Sequence, residues 1–299
     1  MKQDWKTCAI GRHLVDVPNE ATTVESYKYN GVRIELLPSI TTQAMFNNMV
    51  SQREKDLRTA KHVTRGNLFV ERVPHDTGSV TLISWSRPMG EILYLFDTYF
   101  QVGSKYMLYS GEVSPDRKTV ALATRQKLSG EWHEIPSGVS PEGMGFVAGD
   151  AILVAKRFNL ESWELNIRLP DKPDVWFRLT AYAQERVGLG LRARAGGVLP
   201  ALLGTVAGVG QLRNRVRPVG PIEADEILVT GTQDGKRTYG FKWEAPGKAY
   251  SLAEPNLNAS LRVGESAYLT NKESFANDGE ALELWDGVVD SIRLRPGAV

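Results

Sequence analysis

Four histidines, His13, His62, His75 and His133, are the limiting resource for catalysis in this 299-residue chain. None stands in His-x-His or His-x-x-x-His spacing, so no pair is preset to hold a metal. His13 lies near Asp16 and His75 beside Asp76. Neighbours in a strand or loop point apart, so structural or solvated roles are expected for both. A nucleophile elbow needs Gly-x-Ser-x-Gly on a strand-to-helix turn, and no such pentapeptide occurs. Glu223, Asp225 and Glu226, or Glu280 and Glu283, could exchange protons only if buried and desolvated, and as a cluster they read as a solvated face. Gly188-Leu-Gly190-Leu-Arg-Ala193 approaches the dinucleotide fingerprint, but no clear helix and no acidic residue about twenty positions on complete it. No phosphate loop is present. The single Cys8 excludes an intrachain disulfide and a cysteine-rich zinc site. We therefore expect no catalytic residue, no cofactor and no metal, and a protein that is not an enzyme.

Contact chemistry is better supplied. Tyr94, Phe96, Tyr99, Phe100, Tyr106 and Tyr109 recur on both faces of one segment. They cannot all face one core, so some are expected to reach solvent or a partner. Tyr, Trp and Arg are the types that dominate binding hot spots.

The elements that must position these residues follow from periodicity and turn chemistry. Strands are predicted at Arg12 to Val17 and Val32 to Leu37, each ending at a proline. From Thr41 the period changes: Met45, Phe46, Met49, Val50 and Leu57 share one helical face, with a threonine as N-cap. A meander follows at Leu68 to Val73, Val80 to Trp85, Ile92 to Gln101 and Lys105 to Ser110. Ser114-Pro115 opens a helix carrying Val120, Ala123 and Leu128 inward. Ile135 to Gly149, rich in Pro, Ser and Gly, is the best linker. Further strands are expected at Ala151 to Ala155, Trp163 to Leu169 and Val175 to Tyr182, then a helical or loop-rich segment to about Arg215. Ile227 to Thr232 and Arg237 to Glu244 flank the hairpin signal Asp234-Gly235, and Asn256 to Val263 adds a strand. Asn277 and Glu280 announce a last helix with Leu282, Trp285, Val288, Val289 and Ile292 on one face. The order strand, helix, strands, terminal helix appears twice. The expectation is an α+β fold of two domains, 1–140 and 141–299, each an antiparallel sheet with packed helices.

Composition narrows the class of partner. Net charge is +1, with 42% hydrophobic and 24% charged residues, so the basic footprint of a nucleic-acid binder is missing. Ala195 to Leu212 is uncharged but short, glycine-rich and broken by Pro200, below what a spanning helix requires. Arginines on both sides leave a surface-lying segment open, and with it an alternative function as an envelope lipid-binding module without enzymatic activity. Met1 to Ile10 shows no signal peptide.

The opening Gly11-Arg12-His-Leu14-Val-Asp16-Val-Pro18 resembles the start of the immunity proteins cognate to the fourth family of type VI secreted phospholipase effectors. So do Gly145-Phe146, Leu169-Pro170-Asp171-Lys-Pro173-Asp174, Leu212-Arg213, Gly220, Glu226, Leu284-Trp285-Asp286 and Arg293-Leu-Arg295-Pro296-Gly297, in the family's order over nearly the whole chain. The resemblance implies a two-armed claw that binds its cognate lipase as a heterodimer and grips the lid elements, denying lipid access to the catalytic serine. It also implies a periplasmic setting, so the chain would be a mature form, or else a cytoplasmic one. Neither nucleic acid nor stable membrane insertion is expected. The family motifs mark the fold rather than the interface. For partner contact the hot-spot types point to Tyr99, Tyr106 and Tyr109 on the hairpin and to Arg192, Arg194 and Arg213 on the arginine-rich edges.

Overall fold

The computed structural model describes residues 4–194, 207–233, 236–263 and 274–299. Two compact units emerge: residues 27–156 form one, and residues 1–26 with 157–299 form the other.

In chain order the strands of the opening are β1 (Trp5–Ile10), β2 (His13–Pro18) and β3 (Thr22–Tyr29), the last carrying the chain across the boundary between units. In the unit of residues 27–156, β4 (Val32–Leu36) is followed by α1 (Gln43–Thr59) and the two-residue β5 (Lys61–His62) and β6 (Gly66–Asn67). Then come β7 (Phe69–Pro74), β8 (Val80–Arg87), β9 (Gly90–Val102) and β10 (Lys105–Val113). The sheet order β4-β10-β9-β8-β7 is antiparallel throughout, with Tyr109 opposite Thr98 and Ile34. Thr42 caps α1 by accepting from the Met45 amide, as the threonine signal predicts. Phe46, Val50 and Leu57 of α1 bury against Val80, Leu82, Tyr99 and Tyr106, whereas Met45 is exposed. A 3-10 turn at Pro115–Arg117 leads into α2 (Lys118–Glu131). Val120 of α2 is exposed and Arg125 is buried instead, its guanidinium 4.8 Å over the Phe96 ring and 5.2 Å over Tyr109. A cation over aromatic faces offsets part of its desolvation, which periodicity alone does not reveal. β11 (Trp132–Glu134), β12 (Phe146–Ala148) and β13 (Ala151–Leu153) form a small sheet. The expected linker is therefore a loop only to about residue 145, and its Phe146–Ala148 end is buried strand.

In the other unit the strands are β14 (Ser162–Leu169), β15 (Lys172–Tyr182), β16 (Ala207–Val216), β17 (Asp225–Gln233), β18 (Lys236–Ala245), β19 (Asn256–Val263) and the short β20 (Arg293–Leu294). Their sheet runs β16-β17-β18-β19-β15-β14, and β1-β2-β20 make a second. β14 alternates strictly between buried and half-buried residues, the period-2 signature of a sheet with one covered face. On the same sheet α3 (Asp278–Val289) lays Trp285 against Phe177 of β15 and Phe241 of β18, and is capped by the Asn277 side chain accepting from the Glu280 amide at 3.1 Å. Ala281, Trp285, Val288 and Val289 bury, Ile292 buries beyond the helix end, and Leu282 is only half-buried. Residues 207–216 are strand rather than helix or loop, and a 3-10 turn covers Arg192–Arg194. The hairpin signal Asp234-Gly235 lies outside the described residues, but β17 and β18 on either side pair antiparallel.

Candidate partner-binding site

The catalytic candidates disperse once placed. Both nitrogens of His75 are used, with Nδ1 2.8 Å from Gln126 Oε1 and Nε2 2.8 Å from Thr81 Oγ1, and the Asp76 carboxylate is linked only through Gln126, whose Nε2 donates to it at 3.1 Å. Burial pushes this imidazole below its ordinary pKa. His13 is buried in the other unit and His133 is exposed. Among the described residues no group of His, Cys, Asp and Glu is gathered to hold a metal ion. The fingerprint at Gly188 runs into the 3-10 turn at Arg192–Arg194, and residues 195–206, most of the apolar stretch, lie outside the described residues.

The carboxylate run Glu223 to Glu226 divides by burial. Glu223 is exposed, whereas Glu226 is wholly buried and shared by Arg217, Arg215 Nε at 2.9 Å and Trp285 Nε1 at 2.8 Å. Arg213 forms a two-pronged pair with Asp286 at 2.6 and 3.0 Å, and Arg217 reaches Asp290 at 2.7 Å. Burial alone would raise the Asp286 carboxyl, but the Arg213 hydrogen bonds and the Arg217 charge hold it below its ordinary value. Strands β16 and β17 are thereby tied to α3. Arg12 is buried in the same unit, where it forks onto Glu161 at 2.6 and 3.0 Å and donates to the Ala298 carbonyl. Beside it, Gly11 has φ +56, and a Cβ there would sit 2.1 Å from Trp163. Only glycine fits that turn.

The partner-contact candidates also divide. Tyr99, Tyr106 and Tyr109 are core residues, 5%, 6% and 3% exposed. Tyr106 stacks on Phe46 at 4.7 Å, and the Tyr109 hydroxyl donates to the Tyr29 carbonyl at 3.1 Å. Burial drives the Tyr99 and Tyr109 hydroxyls up to about 12. These three pack inside their unit: α1 covers one face of the hairpin and α2 with the small sheet covers the other, so aromatics on both faces find cores. Arg213 is held by Asp286. Arg192 and Arg194 stay exposed beside the exposed Leu189, whose carbonyl accepts from Arg194 Nε at 2.7 Å, while Arg194 also pairs with Glu244.

Two surfaces were not singled out from sequence. At the β8–β9 turn Met89 and Ile92 are 86% and 81% exposed, and Val63 joins them through a hydrogen bond from its amide to the Pro88 carbonyl at 3.0 Å. The tip is braced beneath: Trp85 stacks near Tyr94 at 4.6 Å, and Arg65 binds Glu91 at 2.5 Å, with Thr64 as a second donor, pulling the Glu91 carboxyl down to about 2. Apolar residues at a hairpin tip, where polar turn residues are expected, were the available signal. In the other unit Trp176 is half-exposed with the Arg168 guanidinium 3.7 Å from its ring centre. Val175-Trp-Phe-Arg178 alternates buried and exposed, which places Trp176 on the polar phase.

A braced apolar tip and a tryptophan stacked by arginine are contact chemistry, the kind a two-unit binding protein presents. The chain belongs to the Tle cognate immunity protein 4 family: the family's C-terminal domain matches residues 140–297 and its N-terminal domain residues 6–111. The apo structure of TplEi, an immunity protein of the type VI secretion system of Pseudomonas aeruginosa, superposes with a TM-score of 0.91 at 33% identity over 99% of both chains. A chain of the crystal structure of a Tle4–Tli4 complex matches with the same score and identity over 100% of both. TplEi complexed with an "L" peptide matches at 0.86 and 32% over 99% of this chain and 100% of that one. No curated protein matches the chain. The quoted family residues converge as a scaffold: Arg213, Glu226, Trp285 and Asp286 in one network, and Gly11, Arg12 and Arg295 at one crossing, where the Arg295 amide donates to the Arg12 carbonyl at 2.8 Å. No helix among the described residues is long and apolar enough to cross a membrane.

Proposed function

We propose that this protein is the immunity partner of a type VI secreted lipase of the Tle4 class, binding it one to one in the periplasm and inhibiting it without chemistry of its own. The observation that carries the reading is family membership along the chain, with a whole-chain likeness at 33% identity to a chain of a Tle4–Tli4 complex. Inhibition acts by holding lid elements of the lipase, so that lipid cannot reach the catalytic serine. Each unit contributes surface: the Val63, Met89 and Ile92 tip from residues 27–156, and Trp176 on Arg168 with the Arg192 and Arg194 edge from residues 1–26 and 157–299. Trp176, Arg192 and Arg194 are hot-spot types, and the Val63, Met89 and Ile92 tip adds exposed apolar surface for a partner to cover. The test is co-purification with the cognate lipase followed by a lipase assay. A stable complex with lost activity is expected; a complex that retains full lipase activity overturns the inhibitory reading.

A further inference from the structure

One concavity on the unit of residues 1–26 and 157–299 takes no part in the reading above. It is a cleft of about 800 Å³ at the ends of the strands, walled by Val219, Ile222, Pro246, Pro255, Leu257 and Ile292. That is the size range of a specific binding pocket. Its walls are stiff. Three prolines, Pro221, Pro246 and Pro255, fix the backbone, and Gly247 sits at φ +67 with the Pro255 carbonyl 2.4 Å from where a Cβ would stand. Val219 and Ile222 exchange both backbone hydrogen bonds, at 2.9 and 3.0 Å, closing the loop that carries Glu223. A preformed wall spares an incoming group the ordering cost of binding.

Two polar features point into use. His13, almost fully buried, lines the cleft, and its Nδ1 makes no hydrogen bond among the described residues. A buried nitrogen without a partner is costly until something satisfies it. At the mouth the charges are nearly matched: Lys248 pairs with Glu254 at 2.8 Å, Arg293 with Asp16 at 3.1 Å, and Asp290 with Arg217 at 2.7 Å. Glu223 is exposed and makes no ion pair among the described residues, although its charge reaches Lys248. The cleft thus presents an apolar floor beside the buried His13 and, at an open rim, one carboxylate without an ion pair among the described residues. Pro221, Glu223, Lys248 and Glu254 are all exposed along that rim, so the cleft suits a side chain offered on a chain segment that continues past it, rather than an engulfed small molecule.

We propose that this cleft anchors a basic loop of the partner protein, taking an apolar side chain on its floor and an adjacent lysine or arginine against Glu223. The partner is the lipase of the reading above, on which this proposal rests. The anchor is a specificity device: a loop with an acidic residue in that place leaves two carboxylates facing each other.

Two arms test it on the full chain. In the first, acetyl-Gly-Leu-Arg-Leu-Gly-amide and its counterpart with Glu in place of Arg are titrated while the imidazole proton resonances of His13 are followed. The Arg peptide is expected to shift His13 and to bind at least fivefold more weakly to Glu223→Gln. Equal binding of both peptides, or no response at His13, overturns the cleft. In the second, Glu223→Arg is expected to weaken lipase binding at least tenfold with an unchanged thermal midpoint, while Glu20→Arg, an equal charge change on the same unit, leaves it unaltered. Lipase binding unchanged in Glu223→Arg overturns the proposal even where wild type inhibits. Failure of wild type to bind the lipase overturns the functional reading instead, and the peptide arm still judges the cleft.

Discussion

The indole Nε1 of Trp285 donates to Oε1 of Glu226 at 2.8 Å, and that carboxylate has no exposure to solvent. One residue of α3 thereby completes the shell of a charge that Arg215 and Arg217 already hold from the adjoining strand. A buried carboxylate is tolerable only when its lone pairs are filled, and removing one side of such an arrangement leaves the other charge stranded. Glu226→Ala, which takes the buried partner from Arg217 and Arg215 and leaves Arg217 only Asp286 and Asp290, is expected to cost about 3 kcal/mol in urea unfolding. A loss under about 1 kcal/mol would mean that the arginines find other partners and that α3 is held by its apolar face alone.

Tyr106 is the second case in which chemistry serves the fold. Its ring stacks on Phe46 between the hairpin and α1, and the core it belongs to includes Val50 and Leu82. Tyr106→Ala is expected to lose about 3–5 kcal/mol of stability, the usual cost of truncating a buried aromatic. Tyr106→Phe should keep lipase inhibition intact. Reduced inhibition by the phenylalanine variant at full stability would return the hydroxyl to the interface.

How much of this was legible in the sequence varies with the kind of signal. Local chemistry read well: Thr42 caps α1, Asn277 caps α3, and Asn256–Val263 is strand to its last residue. Those signals rest on neighbours within a few positions. The misreadings turn on packing and partners beyond the reach of local periodicity. Arg125 took the inward place expected of Val120 because Phe96 and Tyr109 stack under it. Glu226 looked like part of a solvated acidic run, yet Arg215 and Arg217 neutralise it and the Trp285 indole donates to it. The tyrosines of β9 and β10 looked surplus because the second covering layer, α2 with β11 to β13, could not be assigned to them by periodicity. Met89 and Ile92 went unnoticed since β-propensity is blind to whether a hairpin tip has anything to pack on.

The tip itself gives the sharpest functional expectation. Met89 and Ile92 are so exposed that charging them should leave folding almost untouched. Met89→Asp with Ile92→Asp is expected to weaken lipase binding by at least about 2 kcal/mol, roughly thirtyfold, with the loss mostly in the off-rate measured by surface plasmon resonance. Unchanged binding at unchanged thermal stability would remove the tip from the interface and leave Trp176 and the arginine edge to carry it.

Acid should weaken the fold in a window set by histidine rather than by carboxylates. Burial, with Arg12 and Arg295 nearby, holds the His13 imidazole down at about 4, against about 6.5 when unfolded, and burial lowers His75 as well. A base whose folded pKa is depressed binds fewer protons folded than unfolded, so stability rises with pH between the two values. The contribution is complete above about pH 6.5 and is lost as pH falls toward about 4, amounting to about 3 kcal/mol for His13. The depressed carboxyls, Asp278 beside Arg237 and Glu280 beside Lys172, act at lower pH, since their contribution persists until the unfolded carboxyls begin to protonate. Urea unfolding at pH 7.0, 5.5 and 4.5 should therefore show wild type losing stability already at pH 5.5, and His13→Gln losing much less over the same interval. Parallel losses in the two proteins would mean that His13 is protonated in the folded state, and that the nitrogen lining the cleft carries a charge rather than a free lone pair.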